Sequence, residues 1–357
     1  MIARVCIAGF TTRHVASSAY RAGYAVYAVD HFCDLDLGWY TADRARFEEI
    51  DEIPDAVAGM IEKYRIDLLV VTSGAETISA PLPLCGTPRE RVGRFLDKLE
   101  TARFFAKTDV PTPRIVPEGT YPAMWKPRKG SGGYRNAIVR SESELASWKE
   151  ANEGIPSFGQ EVVEGMPASV CCLTNGESAV AVAANEQLLR GGSSASFGFS
   201  GSVTPLDHPL SGSMAESAER IAAASGCLGT IGVDFVLGDE AYAIEVNPRF
   251  QGTLDTVELS TGCNLFSLHV GACSGILPEK RPRPVKYAAR GIVFAGNRTT
   301  IQDDLSGLSP GIADIPWPGT TFDEGEAVVS VLGWGATREE AVAMLDTNKR
   351  RVRQYIR

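Results

Sequence analysis

The first part of the chain alternates short apolar runs with stretches of helical spacing. Arg4-Val-Cys-Ile-Ala-Gly9 is an apolar run ending in glycine, 14–22 is helix-like, and Tyr24-Ala-Val-Tyr-Ala-Val-Asp30 is a second apolar run ending in an acid. Helical periodicity returns over 56–64, and Ile66-Asp-Leu-Leu-Val-Val-Thr72 then reads as a buried strand. This β-α-β order predicts a small parallel sheet with helices packed on it. Ligands of such sheets lie beyond the carboxyl ends of the strands, so the segments after Gly9, Asp30 and Thr72 are expected to face a substrate. Gly9 leads into Phe10-Thr-Thr-Arg-His14 and not into G-x-G-x-x-G, so a dinucleotide cofactor is not expected.

From about residue 89 the pattern changes. The spacing predicts a charged amphipathic helix over 94–106, broken by Val110-Pro-Thr-Pro113, and a strand Ala123-Met-Trp-Lys-Pro127 that opens into Arg128-Lys-Gly-Ser-Gly-Gly133. Residues 157–173 read as strand, turn, strand about Glu164-Gly165. The Gly/Ser-rich stretch 191–202, preceded by Arg190, is too polar for a core and too long for a casual connection; it is expected to be a loop that covers a site or lies free on the surface. A helix over 215–224, a hinge at Arg281-Pro-Arg-Pro284, a strand over 327–332 and a final helix opened by the capping box Thr337-Arg-Glu-Glu340 complete the reading. Lys349, Arg350, Arg351, Arg353 and Arg357 fall at the end of that helix, where cations suit its dipole.

Charge narrows the function classes. The net charge of −9 disfavours non-specific nucleic-acid binding, and no apolar run approaches the ~20 residues a bilayer needs. The start resembles a strand and not a signal peptide, so the chain is expected to be cytoplasmic, with neither nucleic acid nor membrane as partner. Its eight cysteines form no C-x-x-C pair, and His14, His31, His208 and His269 show no metal spacing. Asp30, His31, Asp34 and Asp36, after the second strand, read either as loop polarity or as a reader of an amine.

The richest segment is Gly232-Val-Asp-Phe-Val-Leu-Gly-Asp-Glu-Ala-Tyr-Ala-Ile-Glu-Val-Asn-Pro-Arg249, two alternating strands about a Gly238-Asp-Glu240 turn. If Val233, Phe235 and Leu237 share a buried face with Val246, Ile244 and Tyr242, the register opposes Asp234 to Glu245 on the other face, with Asn247 along from them and Val236 beside them. Opposed carboxylates repel unless a cation lies between them, and Asp, Glu and Asn oxygens are what magnesium takes when phosphates complete its shell. A solvated hairpin face is the alternative. Lys126, at a strand end before Gly130, Ser131, Gly132 and Gly133, can set an ammonium and open backbone N–H groups against phosphate. A basic surface loop is the alternative here. Gln160-Glu-Val-Val-Glu-Gly165 offers an edge backbone for a base and Glu164 for ribose.

Lys98, Pro111-Thr-Pro113, Lys126, the glycine loop, Gln160 to Gly165, Asp234 and Glu245-Val-Asn-Pro-Arg249 follow one another in this order along one chain. Taken together they resemble the ATP-grasp superfamily, in particular its predicted ATP-dependent carboligases, over most of the chain. The resemblance implies an α/β fold, α+β in its nucleotide-binding part: a Rossmann-like domain at 1–90, a small ATP-grasp subdomain with the glycine-rich phosphate loop at 91–170, and a C-terminal subdomain with the metal site at 171–357. It also implies ATP and Mg2+, or Mn2+, as cofactors. Lys98 and Lys126 match the phosphate-binding lysines, and Gln160, Glu161, Val162 and Val163 the base-binding linker, with Glu164 near the ribose. Asp234 and Glu245 match the metal-bridging acids, Asn247 the metal- or phosphate-binding amide, and Arg249 the arginine that holds an acyl phosphate. One departure is Gly133-Tyr-Arg-Asn-Ala137, which implies a longer phosphate lid with Arg135 as a further contact.

The implied activity is a ligase that activates a small carboxylate as an acyl phosphate and joins it to an amine, releasing ADP and phosphate; family members are often homodimers. Two other readings stand beside it. One is a carboxylase or carbamoyl-phosphate-type enzyme using bicarbonate; the other is a nucleotide-binding regulator without turnover.

Overall fold

A computed structural model describes residues 3–130, 132–191 and 197–356. The N-terminal part is a parallel sheet of β1 (Arg4–Gly9), β2 (Ala25–Asp30), β3 (Asp43–Arg46) and β4 (Leu68–Val71), in the order β3-β2-β1-β4. Val5, Cys6, Ile7 and Ala8 are all fully buried, as a parallel strand covered on both faces requires. The odd-numbered pair packs with Val15, Ala16 and Ala19 of α1 (Arg13–Arg21), while Cys6 and Ala8 pack with Ile53, Val57 and Met60 of α2 (Ile53–Lys63). Gly9 is obligatory, because at φ +153° a Cβ there would meet Thr72 Oγ1 at 2.0 Å.

The short helix α3 (Arg89–Val92) is followed by α4 (Lys98–Phe105), then β5 (Ile115–Val116), β6 (Ala123–Pro127), β7 (Ala137–Val139), α5 (Glu142–Ala151) and β8 (Ser157–Glu161). The four strands form an antiparallel sheet in the order β5-β8-β6-β7. The helix expected from residue 94 begins only at Lys98. Asp97 stops it from extending backwards, its carboxylate accepting from the backbone N–H groups of Leu99 and Glu100 as an N-cap. Trp125 and Leu145 make this sheet's small core, and the indole N–H donates to Ser157 Oγ at 3.0 Å.

The remainder supplies an eight-stranded sheet. Its elements in chain order are β9 (Met166–Thr174), β10 (Ala179–Leu189), β11 (Phe199–Thr204), α6 (Ser211–Ser225), β12 (Gly229–Leu237), β13 (Ala241–Asn247), α7 (Leu254–Thr261), α8 (Leu265–Cys273), β14 (Tyr287–Phe294), β15 (Thr299–Thr300), β16 (Ile312–Ala313), β17 (Thr321–Phe322), β18 (Ala327–Gly335) and α9 (Arg338–Arg353). The order is β13-β12-β9-β10-β11-β14-β18-β16, with β15 and β17 paired apart. α6 packs on one face through Met214, Ala218 and Ile221, while Cys171, Leu173 and Val182 of the other face share a core with α7, α8 and the N-terminal sheet.

One loop expectation fails in part here. The last four residues of the supposed Gly/Ser loop belong to strand β11, which is paired on both sides at Gly201 and Ser202, both buried; small polar residues are used because the backbones crowd, a Cβ on Gly201 meeting Arg290 O at 2.1 Å. Residues 192–196 of that stretch lie outside the described residues. The 281–284 segment is fastened by a bidentate pair from Arg281 to Glu219 on α6, at 2.8 and 2.6 Å. The expected cap of the last helix is present, Thr337 Oγ1 accepting from the Glu340 N–H.

The N-terminal sheet is joined to the large one by charge as well as by apolar packing. Arg13 is 4% exposed and donates through Nη1 and Nη2 to Asp255 at 3.1 and 2.6 Å and through Nε to Asp314 at 2.8 Å. Removing one partner from a buried ionic cluster leaves its carboxylates uncompensated, at a cost of about 3–5 kcal/mol. Arg13→Ala should lower the free energy of urea unfolding by that amount; a loss under about 1 kcal/mol would show that the cluster does not join the two sheets.

Candidate active site

The β12–β13 hairpin places the acids. Its register pairs Val233 with Val246 and Asp234 with Glu245, as the alternation predicts. Beyond that pair the expected register is wrong: a bulge after Asp234 sets Phe235 against Ala243 and Leu237 against Ala241, leaving Ile244 as the extra residue. Ala241 and Ala243, not Tyr242 and Ile244, therefore fill the core beside Phe235 and Leu237. Ile244 instead turns into a cavity of about 510 Å3, which Asp234, Val236, Glu245, Asn247 and Arg249 also line.

Inside this cavity the acids are held by donors. Gln187 Nε2 and Asn247 Nδ2 donate to the two oxygens of Asp234 at 2.9 and 3.1 Å, and Lys98 Nζ donates to Glu245 Oε1 at 3.1 Å. Burial, then the charge of Glu245, pushes the Asp234 carboxyl up to about 7, against the opposing pull of Gln187, Arg249 and Asn247. Each of these donors serves one acid only, Gln187 and Asn247 serving Asp234 and Lys98 serving Glu245, whereas a cation between the opposed pair would serve both. The set of hard oxygens from Asp234, Glu245 and Asn247 therefore fits Mg2+ or Mn2+. Arg249 is aimed by Glu76, which accepts from its Nε at 2.7 Å, and by Asn247 Oδ1 at 3.2 Å.

The small sheet forms the opposite wall. Lys126 is 8% exposed and lies on the cavity, its ammonium pushed down to about 8 by burial and by Lys98, with Glu245 pulling the other way. Lys98 stands behind Glu245, brought there by Asp97. Asp97 caps α4 and accepts from Arg128 Nη2 at 2.5 Å, and the Lys98 N–H donates to Arg128 O at 2.7 Å. Gly132 and Gly133 line the cavity. At φ +67° Gly133 lies so close to the chain opposite that a Cβ would meet the Phe197 carbonyl at 2.7 Å. Gly130 has φ +124°, and Ser131 lies outside the described residues.

Three expectations need correction. Gln160 and Glu161 are not on an edge, because β8 is paired on both sides there; Gln160 braces Pro113 O at 2.8 Å and Glu161 takes Arg114 Nε at 2.7 Å. The unpaired backbone is at Val162, Val163 and Glu164, where the chain leaves the sheet, and Val163 lines the cavity while Glu164 is exposed. Arg135 lies over the Tyr134 ring at 4.8 Å and is absent from the cavity wall. Arg190 lies over Phe294 at 4.0 Å and donates to Gly325 O, away from the cavity wall, whereas Phe197, inside the expected covering stretch, lies against Gly133 and lines the cavity. Sequence reasoning does not find Gln187, Glu76, Asp97 or Ser169, which also lines the cavity; the signal for Gln187 is the polar run Asn185-Glu186-Gln187 within β10, and for Glu76 its place beyond the end of β4.

His269 does have a metal-like neighbourhood, since Cys85, His269 and Cys273 bring their ligand atoms within 4.8 Å. The spacing His269 to Cys273, one helical turn, was the overlooked sign. The Thr230 N–H donates to Nδ1 at 2.8 Å, so Nε2 carries the ring proton toward Cys85 O at 3.0 Å, and neither nitrogen offers a metal a free lone pair.

Residues 95–253 match the ATP-grasp domain family, so this stretch of the chain is an ATP-grasp domain. It is 23% identical to an uncharacterised protein of Methanocaldococcus jannaschii over 92% of this chain and 88% of that one. It is 28% identical to the formate-dependent phosphoribosylglycinamide formyltransferase of Bordetella parapertussis over 81% and 80%. A match at 24% identity to the arginine-specific carbamoyl phosphate synthase large chain of Geobacillus stearothermophilus covers 72% of this chain but only 27% of that much longer one. Among solved structures, the biotin carboxylase domain dimer of Hydrogenobacter thermophilus 2-oxoglutarate carboxylase, in complex with MgADP, ADP and bicarbonate, superposes with a TM-score of 0.80 at 15% identity over 98% and 89% of the chains. An L-amino acid ligase of Bacillus licheniformis does so with 0.72 at 17% over 98% and 97%. These last two are likenesses of fold. Among the described residues no helix is long and apolar enough to cross a membrane.

The raised carboxyl of Asp234 gives a stability prediction. Its contribution is full below the ordinary aspartate value near ~4 and is lost as pH rises through about 7, because the folded state then gives up a proton it held more tightly than the unfolded one. In EDTA, Tm should fall between pH 5 and 8 more steeply for the native protein than for Asp234→Asn. Equal slopes in scanning calorimetry would contradict the burial argument.

Proposed function

We propose that the chain uses ATP to phosphorylate a small carboxylate and then joins the resulting acyl phosphate to an amine, releasing ADP and phosphate. The observation that carries this reading is the meeting, in one cavity between two sheets, of Lys126 from one wall with Asp234, Glu245, Asn247 and Arg249 from the other. The unpaired backbone at 162–164 is suited to the adenine edge, and Gly132 and Gly133 bring backbone N–H groups to the phosphates. Lys126 and Lys98 take up negative charge there. A buried ammonium that is costly when alone gains most from an anion beside it. Magnesium, held by Asp234, Glu245 and Asn247, would neutralise charge on the phosphates as the terminal one is transferred. Arg249, steadied by Glu76, is placed to hold the activated acyl group, and the chain about Phe197 closes over the glycine loop, which keeps water from the acyl phosphate.

The test is a screen of carboxylate and amine pairs with ATP and Mg2+, read by phosphate release and mass spectrometry. ADP with a new amide is expected; AMP with pyrophosphate would overturn the reading. Glu245→Gln should lower turnover at least a hundredfold with circular dichroism unchanged, and retained activity would remove Glu245 from the site. Lys126→Met should weaken MgADP binding tenfold or more in calorimetry while leaving Tm equal or higher, since the buried charge is gone. The carbamoyl phosphate synthase similarity supports one competing reading, in which bicarbonate replaces the organic acid; turnover that requires bicarbonate and no other carboxylate would select it. The expectation of a homodimer is tested by light scattering on the purified chain.

A further inference from the structure

A second cavity, of about 460 Å3, lies where β1 and β2 end, between the N-terminal sheet and β14, β16 and β18. It adjoins the first. Arg290, on its wall, donates through Nη1 to Gly252 O at 2.9 Å, and Gly252 lines the first cavity.

The charges around it do not balance. Two guanidiniums, Arg13 and Arg290, pair with three carboxylates, Asp36, Asp255 and Asp314, beside which Asp34 makes a fourth, and Arg44 lies 5.9 Å over the Trp317 ring. Asp255 is taken by Arg13, Asp314 by Arg13 and by Arg290 Nη2 at 2.9 Å, and Asp36 by the backbone N–H groups of Asp314 and Ile315 at 3.0 and 2.8 Å. Asp34 lines the cavity, and among the described residues its carboxylate has neither a hydrogen bond nor an ion pair. Arg46 also reaches this cavity but pairs with Glu48 at 3.2 Å and is mostly exposed. Burial, and then Asp314, Asp30 and Asp36, hold the Asp34 carboxyl well above the usual range, which a cation beside it would reverse. The rest of the wall is aromatic and in part open: Phe32 is 40% and Trp317 46% exposed, with Phe322 beneath. Trp317 is fixed by its indole N–H on Cys33 O at 3.0 Å. Large aromatic surface left exposed beside an uncompensated carboxylate calls for a ligand with an apolar body and one positive charge.

We propose that this second cavity binds the amine co-substrate, its ammonium on Asp34 and an aryl or branched alkyl body against Phe32, Trp317 and Phe322. This rests on the ligase reading only for the word co-substrate: there the ammonium would give its proton to Asp34, and the free amine would attack the acyl phosphate where the cavities adjoin at the Gly252–Arg290 pair, with phosphate as the leaving group.

The experiment titrates the full chain by calorimetry with 2-phenylethylamine, with the isosteric 2-phenylethanol and 3-phenylpropanoate, and separately with MgADP. The amine should bind at least tenfold more tightly than the alcohol, and the acid weakest. Asp34→Asn should abolish that preference, and Trp317→Ala should weaken amine and alcohol alike, both variants leaving MgADP binding unchanged. No amine binding, equal binding of the alcohol, or a preference that survives Asp34→Asn overturns the proposal. Amine binding as expected in a chain that fails to bind MgADP would keep the amine site and sink the ligase reading instead; the reverse result sinks the amine site alone.

Discussion

Two carboxylates facing each other across an antiparallel pair are the constraint on which this molecule turns. Asp234 and Glu245 are opposed in register on β12 and β13, a repulsive arrangement that needs compensating charge and hydrogen bonds. The surroundings answer with Gln187 and Asn247 on Asp234 and Lys98 on Glu245. Each of these donors has a cost, since it draws a polar residue from β10, β13 or α4 into a half-buried wall. The bulge just after Asp234 is part of the same arrangement. It takes Ile244 out of the core and gives the cavity an apolar surface next to its acids.

Placing Lys98 requires a chain of contacts that begins far from the hairpin. Asp97 caps α4 and at the same time grips Arg128, so the first turn of the helix is tied to the end of β6. Lys98 thereby comes near enough for its charge to help push the Lys126 ammonium down. On the other flank, Arg249 reaches across to Glu76 beyond β4, and Arg13 reaches from α1 to Asp255 and Asp314. These pairs join the parallel sheet to the eight-stranded one along the same edge at which both cavities open. The substrate side and the phosphate side are thus held in one frame by buried charge.

The local code was legible where one segment carries its own pattern. Three strands of the parallel sheet, β1, β2 and β4, follow from apolar runs, while the edge strand β3, Asp43-Arg-Ala-Arg46, carries no such signal; the cap at Thr337 follows from its Glu340 partner. The opposition of Asp234 to Glu245 follows from the alternation of Val233 and Val246. The code misled where small residues serve crowded backbones. Gly201 and Ser202 look like loop residues by composition, yet they sit in the middle of a sheet, because a side chain at Gly201 would strike the neighbouring strand. Of the stretch 160–165, which reads as an open edge, Gln160 and Glu161 are closed by pairing on both sides, and only 162–164 lie beyond the strand.

By itself, then, the order of residues determined which chemical groups this protein owns and that two acids would face each other, because strand alternation is a property of neighbours along the chain. Tertiary structure alone decided what surrounds those acids. Gln187, Lys98 and Glu76 come from other elements, and no periodicity within a segment records which side chain from elsewhere will satisfy it. The imbalance at Asp34 is of the same kind: it exists only once α1, α7, β14 and the segment after β16 have brought their charges to one place, where low dielectric makes a single unpaired carboxylate count.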